Sequence, residues 1–299
     1  MKKRTLIAFG LILVAALLVG FAFRNDFIGQ EAKTGQTQES TMQAQGSYAT
    51  VNGLKMYYEI HGEGEPLVLL HGALSTIEVD FGQVLPTFAE TRQVIAIEQQ
   101  AHGHTADIDR PLSYEQMADD TAALLQQLNI ENADFFGYSM GGGIALQIAI
   151  RHPDLVRKLV VAAATYNSGG YHPRILAGEQ TMKPEDLAGS PFQEAYARTA
   201  PNPEAWPALI AKVQQLDGQI QDWLPQDIQA IAAPTLLIYG DADVVRPEHA
   251  VELFRLRGGG VAGDIAGLPN SHMNGYRAVS SCFIRHMAAS ATLTSAELK

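Results

Sequence analysis

The chain has 299 residues, of which 46% are apolar, 18% charged and 8% aromatic. This composition is typical of globular proteins and is too apolar for a disordered chain. The formal net charge is −11, and the basic residues cluster only at Lys2-Lys3-Arg4. Because so acidic a surface repels phosphate backbones, the charge excludes nucleic acid as a partner.

Residues 1–24 have the pattern of an export segment. The basic tripeptide precedes an uncharged apolar run at residues 6–23, which ends at Arg24. The pattern predicts either a signal peptide cleaved after Ala22 or a retained membrane anchor, since the run approaches the roughly 20 residues that span a bilayer. In both cases the remainder is expected to be exported, to the periplasm or the extracellular space. Membrane contact is expected only through this segment, if it is uncleaved.

Residues 25–46 are polar and have no apolar periodicity, so we predict a flexible linker. The folded domain is expected to cover residues 47–299. It opens with alternating apolar and polar residues at 48–51 and 54–60, on either side of Asn52-Gly53. That dipeptide favours a tight β-hairpin.

Strand and helix patterns alternate along the domain. Short apolar runs typical of strands buried on both faces lie at residues 67–70, 94–97, 133–136, 159–163 and 235–239. Helical patterns lie at residues 113–128, 140–151 and 247–256. The alternation predicts an α/β fold with a mostly parallel sheet flanked by helices. Residues 166–227 interrupt it, and we predict a helical cap over the carboxyl edge of the sheet.

The strongest chemical signal is the pentapeptide Gly137-Tyr138-Ser139-Met140-Gly141, which follows a predicted strand and begins a predicted helix. A nucleophile on a strained strand-to-helix turn needs glycines on both sides, so that the strand and the helix can approach. The helix N-terminus also favours developing negative charge. We interpret Ser139 as a nucleophile; the alternative is a glycine-rich turn that only packs.

On these residues the chain resembles the α/β-hydrolase-fold superfamily, in its serine-nucleophile branch, over residues 48–257. The resemblance implies a mostly parallel eight-stranded sheet with a variable cap, and chemistry that needs no cofactor. His71-Gly72, after the strand at 67–70, matches the family's oxyanion loop. The backbone N–H groups of Ala73 and Met140 would then hold the oxyanion.

The resemblance also implies an acid after the last clear strand. The acid of the family stands three residues after the glycine that is Gly240 here, which selects Asp243 over Asp241. Its role would be to hold the tautomer of the catalytic histidine and to stabilise the imidazolium.

The histidine that completes the triad should follow the acid. His272 is the predicted base and His286 the reserve, whereas His249 lies in a predicted helix and is expected at the surface. The family normally supplies an apolar strand just before this histidine, but residues 261–268 are interrupted by glycines and an aspartate. An altered C-terminal region could therefore leave the fold intact and the triad incomplete.

His102 and His104 could suggest a metal site, but two histidines are too few for zinc without a third ligand. The family has a Gly/His-rich turn here. Its usual Asp-x-x-Gly start is replaced by Glu98-Gln99-Gln100-Ala101. We expect neither a metal nor a cofactor.

These features predict an exported serine hydrolase that cleaves small-molecule esters or related acyl compounds through a Ser/Asp/His triad and an acyl-enzyme. One alternative is a non-catalytic ligand-binding protein with an incomplete triad; another is a carbon–carbon bond hydrolase, lactonase or haloperoxidase-like member of the same family. Aromatic residues of the predicted cap fit an apolar substrate or simple packing equally well: Tyr166, Tyr171, Tyr196, Trp206 and Trp223.

Overall fold

The computed structural model describes residues 46–218, 223–262 and 277–279, so the predicted export segment and nearly all of the linker lie outside it. Eight strands form one sheet in the order β1-β2-β4-β3-β5-β6-β7-β8. They are β1 (Ser47–Val51), β2 (Leu54–His61), β3 (Glu65–Leu70), β4 (Arg92–Glu98), β5 (Ala133–Tyr138), β6 (Val156–Ala162), β7 (Thr235–Gly240) and β8 (Arg277–Val279).

Nine α-helices accompany the sheet in the described residues. They are α1 (Ile77–Phe81), α2 (Leu85–Ala89), α3 (Tyr114–Gln127), α4 (Met140–Arg151), α5 (Pro173–Thr181), α6 (Pro191–Thr199), α7 (Trp206–Gly218), α8 (Pro225–Ala230) and α9 (Pro247–Leu256). None of these helices is long and apolar enough to cross a bilayer.

The sheet confirms the predicted α/β class. β1 and β2 pair antiparallel across Asn52 (φ 48°) and Gly53 (φ 82°), the left-handed pair that a type I′ hairpin requires. β2 pairs antiparallel with β4, and every later pair in the sheet, from β4–β3 to β7–β8, is parallel. Four of the five predicted apolar runs lie within these parallel strands, and the fifth, at 159–163, extends one residue beyond the end of β6.

The two faces of the sheet are both buried. Along β3, Val68 and Leu70 belong to one apolar cluster, whereas Leu67 and Leu69 belong to the other. Because successive side chains of a strand point to opposite faces, this division places a covered core on each side. Burying each leucine contributes about 2 kcal/mol in transfer free energy.

Local signals account for the helices that were predicted. The Ser113 hydroxyl caps α3 by accepting the N–H of Gln116 at 3.1 Å. The side-chain amide of Gln116 donates to Asp120 Oδ1 at 2.9 Å within the same helix. α4 and α9 have the predicted bounds.

Between β6 and β7 the chain forms the four helices α5 to α8, of which the first three lie within the predicted cap region and α8 extends three residues beyond it. Tyr196 and Trp206 pack on each other with ring centroids 5.2 Å apart, and both are buried. Lys212 of α7 donates to Asp107 Oδ1 at 2.6 Å and so attaches the cap to the loop after β4.

Candidate active site

Ser139 occupies a sharp turn between β5 and α4. Its backbone has φ 52° and ψ −119°, a conformation that is strained for any residue with a side chain. The turn is held because the Ser139 N–H donates to the carbonyl of Ala162 at 2.8 Å. A Cβ on Gly141 would overlap the carbonyl oxygen of Leu70, so only glycine allows α4 to lie this close to β3.

Two backbone N–H groups beside this turn have no acceptor among the residues that the structure describes. Among the described residues, neither the N–H of Ala73 nor that of Met140 donates a hydrogen bond to a protein atom. The Ser139 hydroxyl is partly exposed and has no hydrogen-bond partner within the described ranges. Met140 is the first residue of α4, where the helix dipole adds to the positive potential of its N–H. The arrangement can accept an oxyanion next to a hydroxyl nucleophile.

His71 fixes the loop that carries Ala73. Its Nδ1–H donates to the carbonyl of Gly72 at 2.7 Å, and its Nε2 accepts the N–H of Gln99 at 3.1 Å. These partners define one neutral tautomer. Burial, together with the neighbouring His102, lowers the pKa of His71 to about 4, so the ring is neutral at pH 7.

Asp80 was missed by sequence reasoning, although the structure places it beside the nucleophile. The side chain lies in α1 with only 3% exposure, and its Oδ2 accepts the N–H of Gly72 at 2.7 Å. Burial raises the pKa of Asp80 to about 6. Ile77, Asp80 and Phe81 are all buried on one face of α1. In the sequence, the signal for this was an acidic residue at helical spacing from two apolar residues.

Asp243 is held firmly at the end of β7. Its Oδ2 accepts the N–H of Gly240 at 2.8 Å and its Oδ1 accepts the N–H of Val245 at 3.0 Å. Burial, with the charges of Asp80 and Asp243, raises the pKa of Tyr138 to about 12. Asp243 is partly buried in this arrangement, whereas Asp241 is exposed in the preceding turn.

The two candidate bases, His272 and His286, lie outside the described residues. The strand β8 at Arg277–Val279 falls between them in sequence and pairs in parallel with β7. β8 is the last strand in the described residues.

The expectation that His249 lies at the surface was wrong. It is 4% exposed, and its ring stacks on Tyr166 with centroids 4.8 Å apart. Its Nε2 also accepts the N–H of Tyr166 at 3.3 Å. The reason is that α9 packs this face against the segment after β6. A structural role for His249 follows.

The histidines after β4 have protein partners. His104 Nδ1 donates to Glu98 Oε2 at 2.9 Å, and His102 Nδ1 donates to the carbonyl of Gln100 at 2.8 Å. No group of three or more His, Cys, Asp or Glu in the described ranges could hold a metal ion. Ala101 adopts φ 66° at the position where the family turn has its glycine, so the turn is kept although the residue differs.

Two acids of the cap change the titration of neighbouring groups. Burial raises the pKa of Tyr171, and the charges of Asp217, Glu179 and Asp243 add to the shift. Burial and the charge of Glu179 raise the pKa of Asp217 to about 7. Tyr171 pairs with Val245 in an isolated β-bridge. Tyr166, Tyr196 and Trp206 are buried.

Comparison with known proteins gives the arrangement a context. The family described as alpha/beta hydrolase fold matches residues 65–199. The serine hydrolase BPHL of Homo sapiens is 31% identical over 216 residues, which are 67% of this chain and 71% of that protein. The 2-hydroxymuconate semialdehyde hydrolase of Pseudomonas sp. (strain CF600) is 28% identical over 226 residues, 65% of this chain and 76% of that protein.

The same likeness appears among solved structures. A meta-cleavage product hydrolase from Pseudomonas fluorescens IP01 (CumD) superposes with a TM-score of 0.61, covering 82% of this chain and 96% of that chain. The sequences are 18% identical. This structural likeness shows the shared fold.

Proposed function

The chain belongs to the α/β-hydrolase fold family and is a hydrolase, and on that premise we propose that it cleaves esters or related acyl compounds through a covalent intermediate on Ser139. The observation that carries the proposal is the strained Ser139 turn, with two N–H groups beside it that have no acceptor in the described part of the chain. A packing turn has no need for backbone strain next to unpaired donors.

The proposed mechanism has two halves. The Ser139 hydroxyl attacks the substrate carbonyl while a histidine takes its proton, and the N–H groups of Ala73 and Met140 hold the oxyanion. The histidine then protonates the leaving group. Water deacylates Ser139 by the reverse proton transfers, and Asp243 orients the histidine throughout. Every group belongs to the chain or the solvent, so no cofactor enters the scheme.

The identity of the histidine is the open part of the proposal. The sequence predicts His272, with His286 as the reserve. Both histidines lie outside the described residues, so separate His272→Ala and His286→Ala variants decide between them. The base is the residue whose loss abolishes turnover while the protein stays folded.

A second candidate reaction is hydrolysis of a carbon–carbon bond. One relative is named a 2-hydroxymuconate semialdehyde hydrolase, and that substrate name describes hydroxyl, carboxylate and aldehyde groups without an ester. The same serine, acid and oxyanion donors suit attack on a ketone carbonyl. Turnover of a vinylogous 1,5-diketone acid in place of esters would select this reaction.

Export is the remaining element of the proposal. It is supported by the basic tripeptide and the apolar run of residues 6–23. Fractionation of cells that express the full chain tests it. A product confined to the cytoplasmic fraction would exclude export, and a shortened product in the exported fraction would identify cleavage.

The deciding experiment measures hydrolysis of p-nitrophenyl acetate and butyrate by the full chain and by Ser139→Ala. We expect turnover that Ser139→Ala abolishes. A fluorophosphonate should label Ser139 stoichiometrically, because labelling needs an activated serine. Ser190→Ala is the matched control. It removes the hydroxyl that caps the N-terminus of helix α6, and it should retain both turnover and labelling. A folded chain that shows neither turnover nor labelling would favour the non-catalytic binding protein.

A further inference from the structure

We propose that Asp80 is a positioning residue, which fixes the oxyanion loop by holding the N–H of Gly72 and thereby sets the rates of both acylation and deacylation of Ser139. The inference rests on the proposed function. Asp80 touches no reacting atom in this scheme, and its effect passes through Gly72.

The nucleophile and the Asp80 carboxylate flank the same glycine. A Cβ built on Gly72 would lie 3.3 Å from the Ser139 Cβ and 3.4 Å from Asp80 Oδ2. The hydrogen bond from Gly72 N–H to Asp80 Oδ2 measures 2.7 Å. The carboxylate is therefore attached to the loop at the point where the loop passes Ser139.

Asp80 and His71 act on the two peptide units that meet at Gly72. Asp80 holds the N–H of the unit between His71 and Gly72, and His71 holds the carbonyl of the unit between Gly72 and Ala73. Because each peptide unit is planar, holding both leaves Gly72 little freedom in φ or ψ. Glycine is the most mobile residue without such restraints. The Ala73 N–H is thereby kept in one direction.

The helix that carries Asp80 is itself fixed. The Thr76 hydroxyl caps α1 by accepting the N–H of Val79 at 3.3 Å, and Glu98 Oε1 accepts the N–H of Ile77 at 3.4 Å. Phe81 packs edge-on against Phe136 with centroids 5.6 Å apart. A carboxylate on so short a helix can act as a rigid anchor because α1 is held at both ends.

The test compares Asp80→Asn with Asp80→Leu, two side chains of similar shape that differ in whether they can accept a hydrogen bond. Initial rates with p-nitrophenyl butyrate give kcat and KM for each variant of the full chain. Asp80→Asn should keep kcat within about three-fold, since its amide oxygen accepts the Gly72 N–H. Asp80→Leu should lower kcat about ten-fold or more with little change in KM, because oxyanion alignment matters only in the transition state.

Three results would overturn the inference. They are an unchanged kcat in Asp80→Leu, equal losses in the two variants, or a rise in KM alone. Asp80→Ala replaces Asp80→Leu if the leucine variant does not fold, as judged by its circular dichroism and melting temperature. Wild type and Ser139→Ala are assayed in parallel. Absence of Ser139-dependent turnover in wild type removes the proposed function and the inference together, whereas Ser139-dependent turnover that is insensitive to Asp80 removes the inference alone.

Discussion

The Nδ1–H of His71 donates to the carbonyl oxygen of Gly72 over 2.7 Å, and this bond determines the direction of the next amide. The Gly72 carbonyl and the Ala73 N–H belong to one trans peptide unit, so they point in opposite directions. A carbonyl held towards His71 leaves the Ala73 N–H pointing away from it. The same ring accepts the N–H of Gln99 and is thereby tied to the end of β4.

We therefore expect His71→Asn and His71→Leu to differ. The amide nitrogen of asparagine can replace the Nδ1–H donor, whereas leucine fills the space without donating. His71→Leu should lower kcat by about ten- to hundred-fold, with a smaller loss in His71→Asn. Steady-state kinetics on folded variants measure the difference. Equal kcat values in the two would show that the bond does not position the loop.

A second prediction concerns close packing at the Ser139 turn. In Gly141→Ala the new methyl group would overlap the carbonyl oxygen of Leu70, so the helix must move from the strand. We expect a loss of about 2 kcal/mol or more in the free energy of unfolding, and loss of turnover. Urea denaturation and the ester assay measure both quantities.

The matched control is Gly178→Ala in α5, where a Cβ would meet no atom within 4 Å. Alanine lowers the entropy of the unfolded chain and favours the helix, so this variant should gain about 0.5–1 kcal/mol. A comparable loss in both variants would mean that the contact with Leu70 is not the cause.

Features that depend on neighbouring residues in the chain, such as turns and helix bounds, could be predicted from the sequence. Features that depend on contacts between distant segments could not. Ser139 was identifiable because a turn between a strand and a helix needs glycines next to it in the chain. Asp80 was not, because its partner Gly72 is brought to it by the path of the loop before α1. His249 was misplaced for a related reason, since helical spacing does not tell which face of α9 another segment covers. β8 was not predicted because its three residues are too few to form a recognisable apolar pattern.

A third prediction concerns acid stability. Burial lowers the pKa of His102 to about 4, and its Nδ1–H donates to the carbonyl of Gln100. The unfolded chain, with an ordinary histidine pKa near 6.5, binds more protons between about pH 6.5 and 4. Stability is therefore lost as the pH falls through that window, by up to about 3 kcal/mol from His102. His102→Asn keeps a donor and removes the titration, so its unfolding free energy should fall less between pH 7 and 4.

Asp80 should change the pH dependence of folding stability in the opposite direction, which gives an internal check. Its pKa is raised to about 6, so the folded protein binds the extra proton between about pH 6 and 4. That proton stabilises the folded state as the pH falls. Asp80→Asn should consequently make the acid loss steeper than in wild type, while His102→Asn makes it shallower. Urea denaturation at pH 7, 5.5 and 4 compares the three proteins. A shallower loss in Asp80→Asn would contradict the assignment for Asp80, and a steeper loss in His102→Asn would contradict that for His102.

The last prediction concerns the attachment of the cap. The ammonium of Lys212 in α7 donates to Asp107 Oδ1 at 2.6 Å, to the carbonyl of Ile108 at 3.0 Å and to that of Arg110 at 2.8 Å. Lys212→Met leaves two carbonyls and a carboxylate without this donor, which should cost about 1–3 kcal/mol. Because the bonds join the cap to the loop after β4, we also expect faster limited proteolysis of residues 166–227 and a several-fold rise in KM with little change in kcat.

Arg198→Met is the control, because Arg198 joins the cap to Glu78 through an ion pair at 3.1 Å whose side chains are 55% and 71% exposed. Exposed pairs of this kind contribute little, since water screens the charges. This variant should show wild-type KM and proteolysis. If Arg198→Met and Lys212→Met loosened the cap equally, its attachment would depend on general surface charge rather than on the three bonds of Lys212.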